Sequence, residues 1–567
     1  MQLAFSFLVY CTYLITHYTT IMKNLKPLLW IAVIGLVLVF FNMPVFNYGY
    51  FGLPVLLLFL TFLWMVLKFP LAKIKVEGQE VHLDKSIKMS KAPLWIMLAL
   101  IVYIVVIPFL TTSAIFHNGS YRNLIGDVKV ENNLSQHMAP ISLDKIRVVD
   151  QSLAALLGDK VLGAQPALGS QVELGTFNIQ KVRDELYWVA PLIHSGFFKW
   201  LNNREGTPGY VMVSATNERD VKLVQRMGSE DVRIRIQENA YLFEDLERYL
   251  YFSGHITHGL TDYSFEIDDN GRPYWVVTKF AKRIGFAGED AIGVLVVDAK
   301  TGDIAEYGIA NAPKWVDRIQ PADFVSQQLN DWGEYVNGYW NFSNQNKLQV
   351  SEKPLLVYGE DNKSYWYTGL TSVGSDEATT GFVLVDTRTK KAHWYRQSGA
   401  TEYAAQNSAV GKVQEKGYSA SQPIPYNING IPTYVMTLKD NGGLVKMYAM
   451  VAIGDYTIVG TGNSMRESLM AFKSAYNMAG NKISPEAASS RAITKSVITR
   501  ISSDIKNGNS FYYFTVKDLN KIFVGSSQLS NELPISVPGD SVEISFDNDL
   551  QEIIDVVSFN NKKLGNN

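Results

Sequence analysis

The 567 residues carry a formal net charge of −2, which offers no global field for nucleic acid or an anionic surface. A single cysteine, Cys11, excludes an intrachain disulfide and a cysteine-built metal site. The length predicts roughly three to five domains, and a mean hydropathy near zero points to membrane segments.

Residues 1–22 are weakly apolar and dotted with Thr, Tyr and His. They read either as a first transmembrane helix or as an upstream extension ahead of Met22-Lys23-Asn24-Leu25-Lys26. Within 23–116, three apolar stretches are long enough to span a bilayer, at about 27–46, 51–67 and 93–116. Pro108 is tolerated near the end of the third. Tyr48, Tyr50, Trp64 and Trp95 suit interfacial anchoring; Tyr103 reads as packing. Lys23 and Lys26 precede the first span, and the 69–91 loop and its borders carry Lys68, Lys73, Lys75, Lys85, Lys88 and Lys91. The turn Asn47-Tyr48-Gly49-Tyr50 carries no charge. The positive-inside rule therefore places the 69–91 loop in the cytoplasm and everything after about residue 117 outside. The loop's 74–83 stretch reads as a β-hairpin.

Further along, Asp150 caps a short helix expected to end at Gly158. Helices are also expected over 239–252, 324–332 and 464–478 from apolar side chains at helical spacing. Between them one strand–turn unit recurs. It reads Asp268-Asp269-Asn270-Gly271-Arg272-Pro273-Tyr274-Trp275 leading to Gly293–Thr301-Gly302, then Asp361–Tyr367 leading to Gly381–Thr389. Looser copies are Asn429–Met436 leading to Met447–Asp455, and Leu186–Val189 leading to Pro208–Val213. Gly and Asn suit the positive φ of the turns, and the β-branched and aromatic runs suit strands. Four copies make repetition the organising fact, with repeats at 117–235, 236–345, 346–410 and 411–488.

This pattern resembles the PepSY-type module, a small α+β unit with one helix on a short antiparallel sheet. The resemblance is closest at 262–307 and 355–396. It implies an extracytoplasmic module that binds or restrains partners, proteases among them, and brings no catalytic residues. Residues 489–567 change character: five short strands separated by turns, with Pro538-Gly539-Asp540 entering one of them, resemble a small OB-like barrel. The expected fold is thus an α-helical transmembrane anchor, tandem α+β repeats and a C-terminal β-barrel.

Few constellations carry chemistry. His255 and His258 are the closest histidine pair, and a metal would need Asp262 or Glu266 as a third ligand. The reading is no metal and no cofactor. Ser195 lies in no nucleophile elbow. Asp298, Asp386 and Asp455 recur at turns, where a carboxylate caps backbone N–H groups. The aromatic content is the remaining signal. Tyr187/Trp188, Tyr274/Trp275, Tyr365/Trp366 and Trp394 sit on or beside strands, where adjacent side chains point to opposite faces. One of each pair is expected in the core and the other exposed to a protein partner. The barrel mixes basic and acidic residues, so no nucleic acid is expected.

Together these point to a non-enzymatic binding or scaffold protein of the bacterial cell envelope. Its expected partners are the lipid bilayer and another protein or a second copy. The alternatives are a structural subunit of a large membrane assembly, and an envelope hydrolase with a site built between repeats.

Overall fold

The computed structural model describes residues 28–68, 74–77, 80–83, 91–131, 141, 143–359, 363–374, 378–481, 491–506, 509–527, 529–547 and 553–564. Expectations on residues 1–27, on most of the 69–91 loop and on Asp361 and Asn362 lie outside these residues.

The fold is α+β. Three apolar helices come first, Leu28–Asn42, Gly52–Lys68 and Ala92–Thr112. Among the described residues, Ala92–Thr112 is the one helix long and apolar enough to cross a membrane. At 21 residues it spans about 30 Å, the thickness of a hydrocarbon layer. It runs through Pro108 but stops short of the expected Phe116. Ser113 leaves the helical region (φ −60°, ψ 130°), and its hydroxyl caps a new helix, Ala114–Arg122. In the loop between the second and third helices, Ile74–Glu77 and Glu80–Leu83 pair antiparallel, Ile74 opposite Leu83.

Beyond the apolar helices lie a body built on four larger sheets and, after it, a barrel. The first sheet comprises Val172–Leu174, Asn178–Val182, Glu185–His194, Tyr210–Ser214 and Val221–Val224. The second is a meander of Gly259–Ile267, Pro273–Ile284, Ala287–Asp298 and Ile304–Gly308. The third holds Leu348–Val350, Leu355–Tyr358, Ser364–Ser372, Gly381–Asp386 and Ala392–Tyr395. Its edge is closed in parallel by Val128–Glu131, drawn from the connector that follows the apolar helices. The fourth holds Ser419–Ala420, Ile424–Ile428, Ile431–Lys439, Val445–Ala452 and Asp455–Gly462.

A helix precedes each sheet: Gln151–Gly163, Leu246–Phe252, Ala322–Glu334 and Glu402–Gly411. The first runs through Gly158 rather than ending there. A Cβ at Gly158 would meet Phe177 at 2.8 Å and Leu174 at 3.0 Å, so the glycine serves close packing, not termination. The second starts at its Asp245 cap, later than the expected 239, because 237–245 first makes an excursion that returns to pair Gln237 with Asp245. The fourth helix carries alanines where a strong apolar stripe would advertise it, and sequence reasoning missed it.

The sheets share their cores. One cluster joins Trp188 and Val213 of the first sheet to Trp366 and Val385 of the third. A second joins Tyr367 and Leu384 of the third to Tyr434 and Met436 of the fourth. A third joins Tyr187 and Tyr210 of the first to Phe265, Trp275 and Leu295 of the second. The barrel closes in the order Arg491–Lys506, Asn509–Val516, Leu519–Ser526, Ile553–Asn561, Ser541–Asp547. Its five strands are those expected, and its core draws only on barrel residues.

Candidate functional site

The aromatic pairs do not form an exposed row. Tyr187, Trp188, Trp275, Tyr365 and Trp366 are all buried, and Tyr274 and Trp394 are half-buried. The strand alternation is as expected, but the first and third sheets are covered on both faces, so each residue of a pair enters a different core. Tyr274 stacks on Trp315 with centroids 5.1 Å apart. Trp394 meets Trp332 edge-on at 5.5 Å.

What these aromatics do is tie sheet to helix. Trp188 Nε1 donates to Val149 O at 2.8 Å, just ahead of the helix that starts at Gln151. Trp366 Nε1 donates to Gln320 O at 2.7 Å, ahead of the helix that starts at Ala322. Trp275 Nε1 donates to Ile236 O at 2.7 Å, in the segment that leads to the helix Leu246–Phe252. In the fourth sheet Tyr434 holds the equivalent register and its hydroxyl donates to Ala400 O at 3.3 Å, ahead of Glu402. A buried indole needs an acceptor, and each of these three finds a main-chain carbonyl in the segment ahead of a helix.

Trp188 and Trp366 also line a cavity of about 420 Å³ between the first, third and fourth sheets. Arg147, Arg318, Asp150 and Ser152 contribute polar groups to its wall. Arg147 lies over the Trp188 ring at 5.9 Å, a cation–π contact. Arg147 Nε and Arg318 Nε have no hydrogen-bond partner and are buried. Burial pulls the Arg147 guanidinium below its ordinary value, partly offset by Tyr426, Tyr358 and Asp150. Burial also works against the Arg318 charge, but Asp262, Glu266, Tyr358 and Asp317 outweigh it and hold its value up.

Arg318 belongs to the 313–321 connector, which crosses between three sheets. Asp317 accepts from Lys181 N at 2.8 Å and from the Tyr358 hydroxyl at 3.0 Å. Thr278 Oγ1 donates to Ile319 O at 3.0 Å. Glu266 lies 3.6 Å from Arg318 Nη2 and is pushed up to about 7 by burial, with Arg318 opposing the shift. On the far wall Lys439 is bonded to Asp150 and to Ser152 Oγ. Burial alone would raise the Asp150 carboxyl, but Lys439 and the Leu153 N–H hold it low. Ser152 Oγ in turn donates to Asp150 Oδ1 at 2.9 Å, so the wall presents an ion pair bridged by a hydroxyl.

The metal constellation is not assembled. His255 faces Glu306 at 3.8 Å, His258 meets Thr257 Oγ1 at 3.0 Å, and Glu266 pairs with Arg318. Among the described residues no three His, Cys, Asp or Glu side chains come together for a metal. Ser195 donates to Gln171 O. Asp298 accepts from Lys300 and Thr301 N–H, Asp386 from Arg388 and Thr389, and Asp455 from Thr457, the turn-capping role read from the sequence. Arg147 and Arg318 were missed, since lone arginines carry no spacing signal.

No protein-family model matches the chain, and no curated protein matches it. Two solved structures of a Bombyx mori GH32 beta-fructofuranosidase, one of them a mutant in complex with sucrose, align at 8% identity. They cover 72% of this chain and 70% of the enzyme, with TM-scores of 0.18 and 0.16. Likeness at that level carries no argument about fold or activity.

Proposed function

We propose that the chain is a non-enzymatic, membrane-anchored binding or scaffold protein of the bacterial cell envelope, with four PepSY-like modules and an OB-like barrel on the extracytoplasmic side. One observation carries the reading. The turn between the first two apolar helices and the end of Ala92–Thr112 dock on the same end of the body. Phe46 N donates to Ile256 O at 2.7 Å, Asn47 Nδ2 to Thr257 O at 2.9 Å and Phe286 N to Thr112 Oγ1 at 2.9 Å. This supports a topology in which the 69–91 loop lies across the bilayer from the body. The repeated aromatic-to-helix hydrogen bond supports the modular reading, and the five-strand closed order supports the OB-like one.

Val221–Val224, the last strand of the first sheet, pairs with a strand on one side only and carries the exposed Lys222, so it offers an edge to a partner strand. The test is a photo-crosslinking residue at Lys222 in the full-length protein, irradiated in its native membrane. A discrete adduct with another envelope protein is expected. Self-adducts alone, or none, overturn the scaffold reading and favour a structural assembly of copies.

A further inference from the structure

Two groups of exposed apolar side chains flank the apolar helices, and neither is explained by the cores. The first combines the short helix Phe197–Asn202 with the turn Leu242–Glu244. Phe198 is 75% exposed, Phe243 56% and Leu242 51%. The patch is locked as a unit: Glu244 accepts from Trp200 Nε1 at 2.7 Å and pairs with Arg204 through both carboxylate oxygens, at 3.1 and 3.0 Å. It abuts the last turn of Leu28–Asn42, where the Phe40 ring lies 5.6 Å from Phe243 and 5.8 Å from Phe252. Leu242 sits at φ 55°. A leucine in the left-handed region costs backbone energy, and here its side chain recovers little packing in return. Backbone strain of this kind collects at binding sites.

The second group is Trp340 and Phe342, exposed and 5.7 Å apart. It lies beside the helix that directly follows Ala92–Thr112. A Cβ at Gly338 would come 3.9 Å from Asn118 Oδ1, the Tyr335 and Tyr121 rings are 6.1 Å apart, and Arg122 donates to Trp332 O. The first group therefore sits where Leu28–Asn42 meets the body, and the second beside Ala114–Arg122, the helix that Ala92–Thr112 leads into; Phe41, Phe109 and Phe116 are exposed as well. Exposed apolar clusters beside an apolar helix mark protein or membrane interaction sites. Aromatic rings at the ends of spans suit the membrane–water interface.

We infer that Phe198, Leu242 and Phe243 on one side, and Trp340 and Phe342 on the other, rest in the interfacial layer of the bilayer that the apolar helices cross, so that the body lies on the membrane instead of swinging above it. The inference rests on the anchored reading above. The test replaces Cys11 by serine in the full chain and places one fluorophore, through Phe198→Cys, Phe342→Cys, Val105→Cys or Ile505→Cys, in separate samples. Each is reconstituted in phosphatidylcholine–phosphatidylglycerol vesicles with nitroxide-bearing lipid. Quenching at positions 198 and 342 is expected to be several-fold above that at barrel position 505 and to approach that at span position 105. If 105 is quenched but 198 and 342 match 505, the inference fails and the anchorage stands. If 105 also escapes quenching, the anchorage reading itself fails. Shielding at 198 that grows with the protein-to-lipid ratio would assign the patch to a second copy and overturn the inference.

Discussion

In the third sheet every residue of Gly381–Asp386 is buried, whereas along Ile553–Asn561 of the barrel buried and exposed positions interleave. A strand covered on both faces reads as a continuous apolar run, and a strand covered on one face reads as an alternation. The body stacks its sheets so that each inner sheet serves two cores. The barrel closes on itself and shares no core with them. Shared cores couple the body's sheets into one cooperative unit, while the barrel has what it needs to open separately.

The largest expected effect tests that coupling. Trp366→Ala removes a ring shared between the first and third sheets and frees the Gln320 carbonyl. A loss of about 3–5 kcal/mol is expected. Hydrogen exchange should rise across the first and third sheets together while barrel amides stay protected. A rise confined to 364–372 would break the comparison. The reciprocal change, Phe523→Ala, empties the centre of the barrel core, where its ring stacks on Phe514 at 5.7 Å. A similar loss, of about 3–5 kcal/mol, should appear in barrel amides alone.

Glu266→Gln gives a smaller effect that depends on pH. The carboxyl is raised from 4.5 to about 7 by burial. The folded body then binds the proton more tightly than the unfolded chain. Its contribution is fully present below about pH 4.5 and is lost as pH rises toward 7. The thermal stability of the body should fall as pH rises through that window, and the glutamine variant should flatten the dependence. An unchanged pH profile in the variant would assign the slope to another group.

The turns and strands were legible because their chemistry is local. Gly271 (φ 89°) and Asn429 (φ 54°) occupy the left-handed positions that their Asn-Gly signals imply. The fate of the Tyr–Trp pairs was not legible. Alternation says that neighbours face opposite sides, but whether each side is covered depends on which sheets stack, and that is set by residues a hundred positions away. The cavity was hidden for the same reason: Arg147, Trp188, Arg318 and Trp366 reach it from four separate segments. The edge strand Val128–Glu131 falls within the expected first repeat yet joins the third sheet, because four residues pairing in parallel with Ala392–Tyr395 have no hairpin signal.

The smallest expected effect concerns the joint between the two regions. The barrel meets the body at the helix Met465–Met478, where Leu469 and Met470 face Val524 and Val556 across a narrow gap. Arg466 adds the polar tie, with Nη2 donating to Ile553 O at 2.6 Å and Nε 3.2 Å from Asp555. Its side chain is 30% exposed, and partly solvated pairs contribute about 1 kcal/mol or less. Arg466→Ala should therefore leave both cores intact and move neither unfolding transition by more than that. What should change is the joint: distances between a spin label on the body and one on the barrel should spread, because the tie to Ile553 and Asp555 is directional and the apolar contacts beside it are not. If the distribution stays as narrow as in the parent protein, the contacts other than Arg466 set the barrel's orientation. The two regions would then be joined by packing after all, and the separation drawn between them would hold for their cores but not for their surfaces.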